Sequence, residues 1–211
     1  MRDRIGGLLL FLPVPLVLWL FTRRPLGPLP SLALGVALVA THRLYARPFA
    51  RARAPRRCLW CGGASRDGTE VEVAEPLGLT RWSACREGHL RPLRGTLAFA
   101  ERHAWLLRGG ILGSLVAFLG GTIAAAAGLS GAPSLDDARA VLHLGVAVTV
   151  LPLGWLGPSA RDSGAEPRKT PFPLHIQALI GTRAVLWLFR IVGVVWLVLG
   201  VSHVAARLGS Q

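Results

Sequence analysis

Five stretches of the chain are apolar over lengths that approach or match a lipid bilayer: about Ile5 to Phe21, Leu29 to Tyr45, Leu106 to Leu129, Val141 to Leu156 and Ala184 to Ala205. Crossing a hydrocarbon layer takes about 20 such residues in a helix. A helix is required because every backbone N–H and C=O must find its partner within the span. Hydrophobic residues make up 52% of the 211 and charged residues 17%, a balance that excludes a disordered or nucleoprotein-like chain. The expectation is an all-α polytopic membrane protein of about five transmembrane helices.

The first segment is short, and Pro13 and Pro15 remove backbone donors from it, so a kinked span or half of a hairpin with the second is expected. It is followed by Thr22, Arg23, Arg24 and Pro25 instead of a small-residue cleavage site, which favours a retained anchor over a secretory signal. Pro152 interrupts the fourth segment.

Lys and Arg near span ends set orientation. With the N-terminus inside, the inner set holds Arg2, Arg4, thirteen arginines from Arg43 to Arg108, Arg161, Arg168, Lys169 and Arg183, nineteen in all. The outer set is Arg23, Arg24, Arg139 and Arg207. This bias places the segment between spans two and three in the cytosol, and the expected location is a bacterial inner membrane with a cytosolic N-terminus. Arg43, Arg47, Arg51, Arg53, Arg56 and Arg57 open that segment with no acid among them. They read as an anchor on anionic headgroups. Nucleic acid is not expected as a partner, because no interleaved stacking residues accompany the arginines.

The three cysteines fall together. Cys58-Leu59-Trp60-Cys61-Gly62-Gly63 is followed, after a gap, by Cys85-Arg86-Glu87-Gly88-His89. A C-x2-C turn converges two thiolates on one ion, and C-x3-H offers a second pair from about one helical turn. Cys58, Cys61, Cys85 and His89 are therefore the expected ligands of a Zn2+ ion. Four protein ligands close the tetrahedron, so the site is expected to be structural. Between the pairs, Thr69 to Glu75 alternates, with Val71 and Val73 on one face, before turn residues at Pro76 to Gly78, which predicts a β-hairpin.

The order of knuckle, hairpin and helix-borne pair resembles the treble-clef and zinc-ribbon class of small metal domains over about 35 residues. That resemblance implies a metal site in a small cytosolic β-hairpin/helix domain and leaves its job open, since such domains bind proteins, bind nucleic acid or serve as structural modules. Trp60, Val71, Val73, Leu77, Leu79 and Trp82 are its expected core. So few residues need the metal, whose binding is worth about 10 to 16 kcal/mol in finger peptides.

The chain divides into 1–45, two membrane helices or a helical hairpin; 46–105, the Arg-rich zinc domain; 106–156, two membrane helices; 157–182, a flexible cytosolic loop; and 183–211, the final helix and a short outer tail. Gly109, Gly113, Ala117, Gly121 and Ala125 recur every four residues, a stripe expected to permit close helix packing within the chain or against a partner. Arg190, seven residues beyond Arg183, is expected to snorkel, and no span contains Asp or Glu to pair with it. At the outer end, Ser130 stands in Gly128-Leu129-Ser130-Gly131, with His143, His203 and Asp136 as conceivable partners for a base or a second metal. The glycines read more simply as a helix-ending turn, and no catalytic constellation is expected. The expected function is a scaffold or accessory subunit with a structural zinc site, binding a protein partner or a second copy of itself. The alternatives are a metal- or redox-responsive regulator, relaying zinc loss through a helix running from Thr96 into span three, and a small transporter or intramembrane enzyme.

Overall fold

The computed structural model describes residues 39–209 together with 33, 36 and 37, except 66, 67, 77, 163, 165, 166, 173 and 176. The first apolar segment, most of the second, and Leu77 lie outside the described residues.

A short π-helix, His42–Ala46, continues directly into α1, Arg47–Arg53. Leu44 and Tyr45 are exposed just before the arginines begin. The expected hairpin follows as β1, Thr69–Glu75, and β2, Gly78–Ala84, paired so that Val71 faces Trp82 and Val73 faces Thr80. Strand alternation puts Val71, Val73, Trp82 and Ala84 on the buried face and leaves Glu70 exposed.

Next comes α2, Glu87–Arg102, longer than a C-x3-H turn alone requires. Its Leu90, Leu93 and Leu97 are spaced three and four apart and bury against the sheet with Leu59 and Trp60. Gly95 brings α2 against the turn at Gly157–Ser159: a Cβ there would stand 2.9 Å from the Ala160 carbonyl oxygen.

Among the described residues, three helices are long and apolar enough to cross a membrane: α3, Ala104–Ala126; α4, Leu135–Leu156; and α6, Thr182–Leu208. They match the third, fourth and fifth apolar segments. The fourth is longer than its apolar run because a capping box extends it: Asp137 N–H donates to Ser134 Oγ (3.1 Å) and Ser134 N–H to Asp137 Oδ2 (3.2 Å). It runs through Pro152.

The middle helix, α4, is half buried, whereas α3 and α6 expose most of their apolar surface, including Val116, Ile123, Val198 and Val201. Small residues set the close approaches. Gly193 and Gly200 of α6 receive Leu151 and Leu144 of α4, and Gly110 and Ser114 of α3 meet Thr149 and Gly145 of α4. The regular stripe behaves differently: Gly121 packs on Pro133 and Ala138, but Gly109 and Gly113 face open space. The intramolecular seam on α3 therefore runs one residue to the side of the stripe.

Two further differences concern connections. The helix expected to run unbroken from Thr96 into span three is interrupted at His103, whose φ of −108° and ψ of 24° are not helical. The loop expected to be flexible is tied down at its middle. Arg168–Lys169 forms β3, parallel to β1, giving the strand order β2-β1-β3. Arg168 is buried and pairs with Glu101 (3.2 Å) and Asp162. Arg168, which the sequence offers only as one of the charges that set orientation, thus anchors the loop to α2. A four-residue helix, α5, Gln177–Ile180, leads into α6.

Candidate metal centre

The knuckle is shaped by backbone. Gly62 N–H donates to the Cys58 carbonyl (2.8 Å), Cys58 N–H to the Gly63 carbonyl (2.8 Å), and Gly62 takes a φ of +67° that a side chain would resist. Leu59 N–H reaches the Ser83 carbonyl (2.9 Å), which lays the knuckle against β2. Cys85 follows β2 directly, and His89 occupies the first turn of α2. Sheet and helix together bring in the second pair.

All four expected ligands converge, with their donor atoms within 4.8 Å of one another. Cys61 Sγ and Cys85 Sγ are 3.8 Å apart, Cys58 Sγ and His89 Nδ1 3.7 Å, and Cys85 Sγ and His89 Nδ1 3.1 Å. A zinc tetrahedron with Zn–S near 2.3 Å and Zn–N near 2.0 Å would set these separations at about 3.8 Å for S···S and about 3.6 Å for S···N. These three separations lie within about half an ångström of those values, and donor atoms as far apart as 4.8 Å would have to close by about 1 Å round a single ion. Exposure across the donor set is graded: Cys58 is buried, Cys61 intermediate and Cys85 exposed.

Burial raises the Cys58 thiol, but backbone groups of Cys61 and Cys85, the Cys85 side chain and the Trp60 backbone outweigh it and hold Cys58 below its usual value. Burial, then the neighbouring Cys58 and Cys61 sulfurs, pushes Cys85 up to about 11. Crowded thiols that resist losing their protons together are what a dication relieves. His89 is held low by burial, then by the charges of Arg86 and Arg183, which favours the neutral imidazole that ligation needs. Arg86 Nε donates to His89 Nε2 (3.0 Å) and thereby turns Nδ1 toward the sulfurs. A metal on Nδ1 shifts the ring proton to Nε2 and ends that hydrogen bond.

Sequence reasoning missed the residues that receive the knuckle. Thr182 N–H donates to the Leu59 carbonyl (2.8 Å), Arg183 N–H to the Trp60 carbonyl (3.0 Å), and Thr182 Oγ1 to Leu59 again (2.9 Å). The first N–H groups of α6 are therefore satisfied by the two residues between Cys58 and Cys61. Gly181, at φ +91°, stands back to back with Gly62, and a Cβ on either would come within 2.7 Å or less of the other segment's backbone. Arg57, which reads as a headgroup anchor, instead donates to the carbonyls of Gly62 (2.7 Å) and Leu179 (3.3 Å). The only trace of this in sequence is Gly181 before Thr182, a helix start beside a backbone requiring no side chain.

Away from the cluster, Arg190 finds its partner in a backbone carbonyl, donating from Nε to Gly154 (2.8 Å), with its guanidinium over the rings of Trp155 and Trp187 at 4.6 and 4.8 Å. At the opposite end of the bundle, His143 is buried between Trp196 and His203, its ring stacked on His203 at 5.5 Å, while His203 Nδ1 lies 3.9 Å from Asp136. These groups line up along the helices and do not converge on a point. Among the described residues, three or more metal-ligating side chains converge only at the Cys3His cluster. Ser130 occupies an exposed turn between Gly128 (φ +64°) and Gly131 (φ +77°) and makes no hydrogen bond to either histidine among the described residues.

Compared with known protein families, curated proteins and solved structures, the chain matches none.

Proposed function

We propose that this protein is an integral membrane scaffold or accessory subunit in which a structural zinc ion, held by Cys58, Cys61, Cys85 and His89, fixes a cytosolic β-hairpin/helix module onto the last membrane helix. The observation that carries the reading is the capping of α6 by the Leu59 and Trp60 carbonyls. Zinc orders the knuckle, and the ordered knuckle supplies acceptors that the helix start lacks on its own. Zinc is favoured over other metals by three thiolates and one imidazole in a closed tetrahedral arrangement. The exposed apolar belts on α3, α4 and α6 support membrane insertion. They also leave lateral surface for a partner subunit or a second copy.

The test is metal analysis of the detergent-purified protein together with mass spectrometry of what co-purifies. One zinc per chain and a partner at fixed stoichiometry are expected. A metal-free protein that still resists proteolysis between residues 58 and 89 would overturn the structural role. The exposure of Cys85 favours one second reading, a metal- or redox-responsive regulator, in which oxidation or chelation releases the knuckle and uncaps α6. Zinc that exchanges within minutes with a moderate chelator distinguishes that reading from the structural one.

A further inference from the structure

A second polar site lies across the module from the cysteines. Arg51 of α1, Glu75 of β1, Thr80 and Trp82 of β2, and His175 border a cleft of about 200 Å3. His175 is 4% exposed, and its Nε2 has no hydrogen-bond partner among the described residues. Arg47, one helical turn before Arg51, also has a buried Nε without a partner among them. A buried polar nitrogen left unpaired is unfavourable, so His175, whose side chain borders this cleft, points to a partner that arrives from outside.

We propose that this cleft binds a phosphate group through Arg51, His175 Nε2 and the Thr80 hydroxyl. Three donors from three different elements suit a tetrahedral anion with several acceptor oxygens better than a planar carboxylate with two. Glu75 is an acidic residue in the wall of the same cleft, and the charge of Arg51 has to offset it there. Its Oε1 accepts from Trp82 Nε1 (2.8 Å) and its Oε2 from Leu174 N–H (3.1 Å), so both oxygens are engaged in holding the wall of the cleft. Burial, then the charges of His42, Arg51 and Arg47, keeps His175 neutral with a pKa of about 4. A neutral ring donates from Nε2 in one tautomer, which is the form a phosphate oxygen selects.

Phosphate of this kind comes from an anionic phospholipid headgroup or from a free phosphate. The helix that carries Arg47 and Arg51 continues from the exposed apolar residues Val39, Leu44 and Tyr45, which sets the cleft within a few residues of where a headgroup layer would lie. The inference uses no metal ligand and stands independently of the zinc assignment.

The test uses the full chain in phosphatidylcholine nanodiscs with and without phosphatidylglycerol, with lipid retention read by native mass spectrometry. Inorganic phosphate is titrated separately, with binding read by phosphorus NMR. Arg51→Gln and Thr80→Val are the site variants, because Arg51 is exposed and Thr80→Val keeps a β-branched residue in the strand. Arg53→Gln is the control: its guanidinium lies over Phe49, on the same helix and of the same charge, but outside the cleft.

One phosphatidylglycerol retained per chain, weakened about tenfold or more by Arg51→Gln and less by Thr80→Val, supports the headgroup source. Binding of inorganic phosphate with the same variant pattern, and no preference for phosphatidylglycerol, supports a free phosphate at the same site. Binding of neither probe overturns the proposal. So does an Arg53→Gln variant as weak as Arg51→Gln, which would make the attraction diffuse. Unchanged circular dichroism and zinc content of the variants exclude misfolding as the cause.

Discussion

Gly181→Ala tests the junction between knuckle and helix more sharply than any change to a metal ligand. Gly181 has a φ of +91° and ψ of 141°, a conformation that alanine reaches only with strain of about 1 to 3 kcal/mol. An added Cβ would stand 2.5 Å from the Cys61 carbonyl carbon and 2.7 Å from Gly62 N and the Trp60 carbonyl oxygen. These are backbone atoms of a knuckle pinned by its own hydrogen bonds, so no side chain can rotate to make room. The strain cannot exceed what it costs to undock the knuckle instead. Undocking loses the hydrogen bonds from Thr182 N–H, Thr182 Oγ1 and Arg183 N–H, worth about 1 kcal/mol each. A loss of about 3 kcal/mol is therefore expected, or roughly 6 to 12 °C in melting temperature for a chain of this size. Thermal unfolding in detergent, followed alongside zinc release to a chromophoric chelator, measures both consequences. Gly109→Ala is the control, because nothing lies within 4 Å of a Cβ at that position. If Gly181→Ala melts within 2 °C of the parent and releases zinc no faster, the two segments do not touch as described and the coupling argument fails.

Cys61→Ser should abolish zinc retention and open residues 58–89 to protease; full zinc occupancy in that variant would exclude Cys61 as a ligand. Arg168→Gln leaves Glu101 and Asp162, both partly exposed, without their cation. It should cost about 2 kcal/mol and expose residues 160–176 to limited proteolysis, and an unchanged cleavage pattern would show that β3 does not depend on the ion pairs. His175 stays neutral down to about 4 in the folded protein, below the usual histidine value of 6.5. The unfolded chain therefore binds the extra proton first as pH falls, and stability should drop between about pH 6.5 and pH 4. His175→Gln should flatten that part of the profile in denaturant titrations, and an identical slope in both proteins would assign the acid sensitivity elsewhere. Arg190→Leu removes the side chain that donates to the Gly154 carbonyl and should lower bundle stability by about 1 kcal/mol, whereas Arg190→Lys should recover less than half of that, since a point charge does not stack between two indoles.

What was legible in the sequence was whatever repeats along it. Strand alternation at Val71 and Val73, the ligand spacing of Cys58, Cys61, Cys85 and His89, and the apolar runs behind α3, α4 and α6 each leave a period or a fixed offset. The misses are contacts between distant segments, which leave none. Arg57 reads as part of a headgroup anchor and Arg168 as one of the charges that set orientation, yet one bridges Gly62 to Leu179 and the other lies buried between Glu101 and Asp162. The stripe at Gly109 and Gly113 matched a packing pattern while the working seam used Gly110 and Ser114, because helix partners meet along whichever small residues their crossing brings together.

Those long-range contacts change what a metal ion would do in this fold. Stabilising a 35-residue module would need only ligands that close on one another, and nothing about that requirement reaches α6. Here the carbonyls of Leu59 and Trp60, held outward by the turn between Cys58 and Cys61, are the acceptors for the first two N–H groups of a 27-residue helix. A helix start without protein acceptors leaves those donors to water. The knuckle therefore fixes where α6 begins. Because Gly193 and Gly200 seat Leu151 and Leu144 of α4 at fixed heights along α6, the position of that first turn also sets the register of the α4–α6 pair. In this arrangement a metal bound in the module would make the knuckle and the packing of the bundle two parts of one folding unit, joined at Gly62 and Gly181, the two residues whose lack of side chains lets the backbones meet.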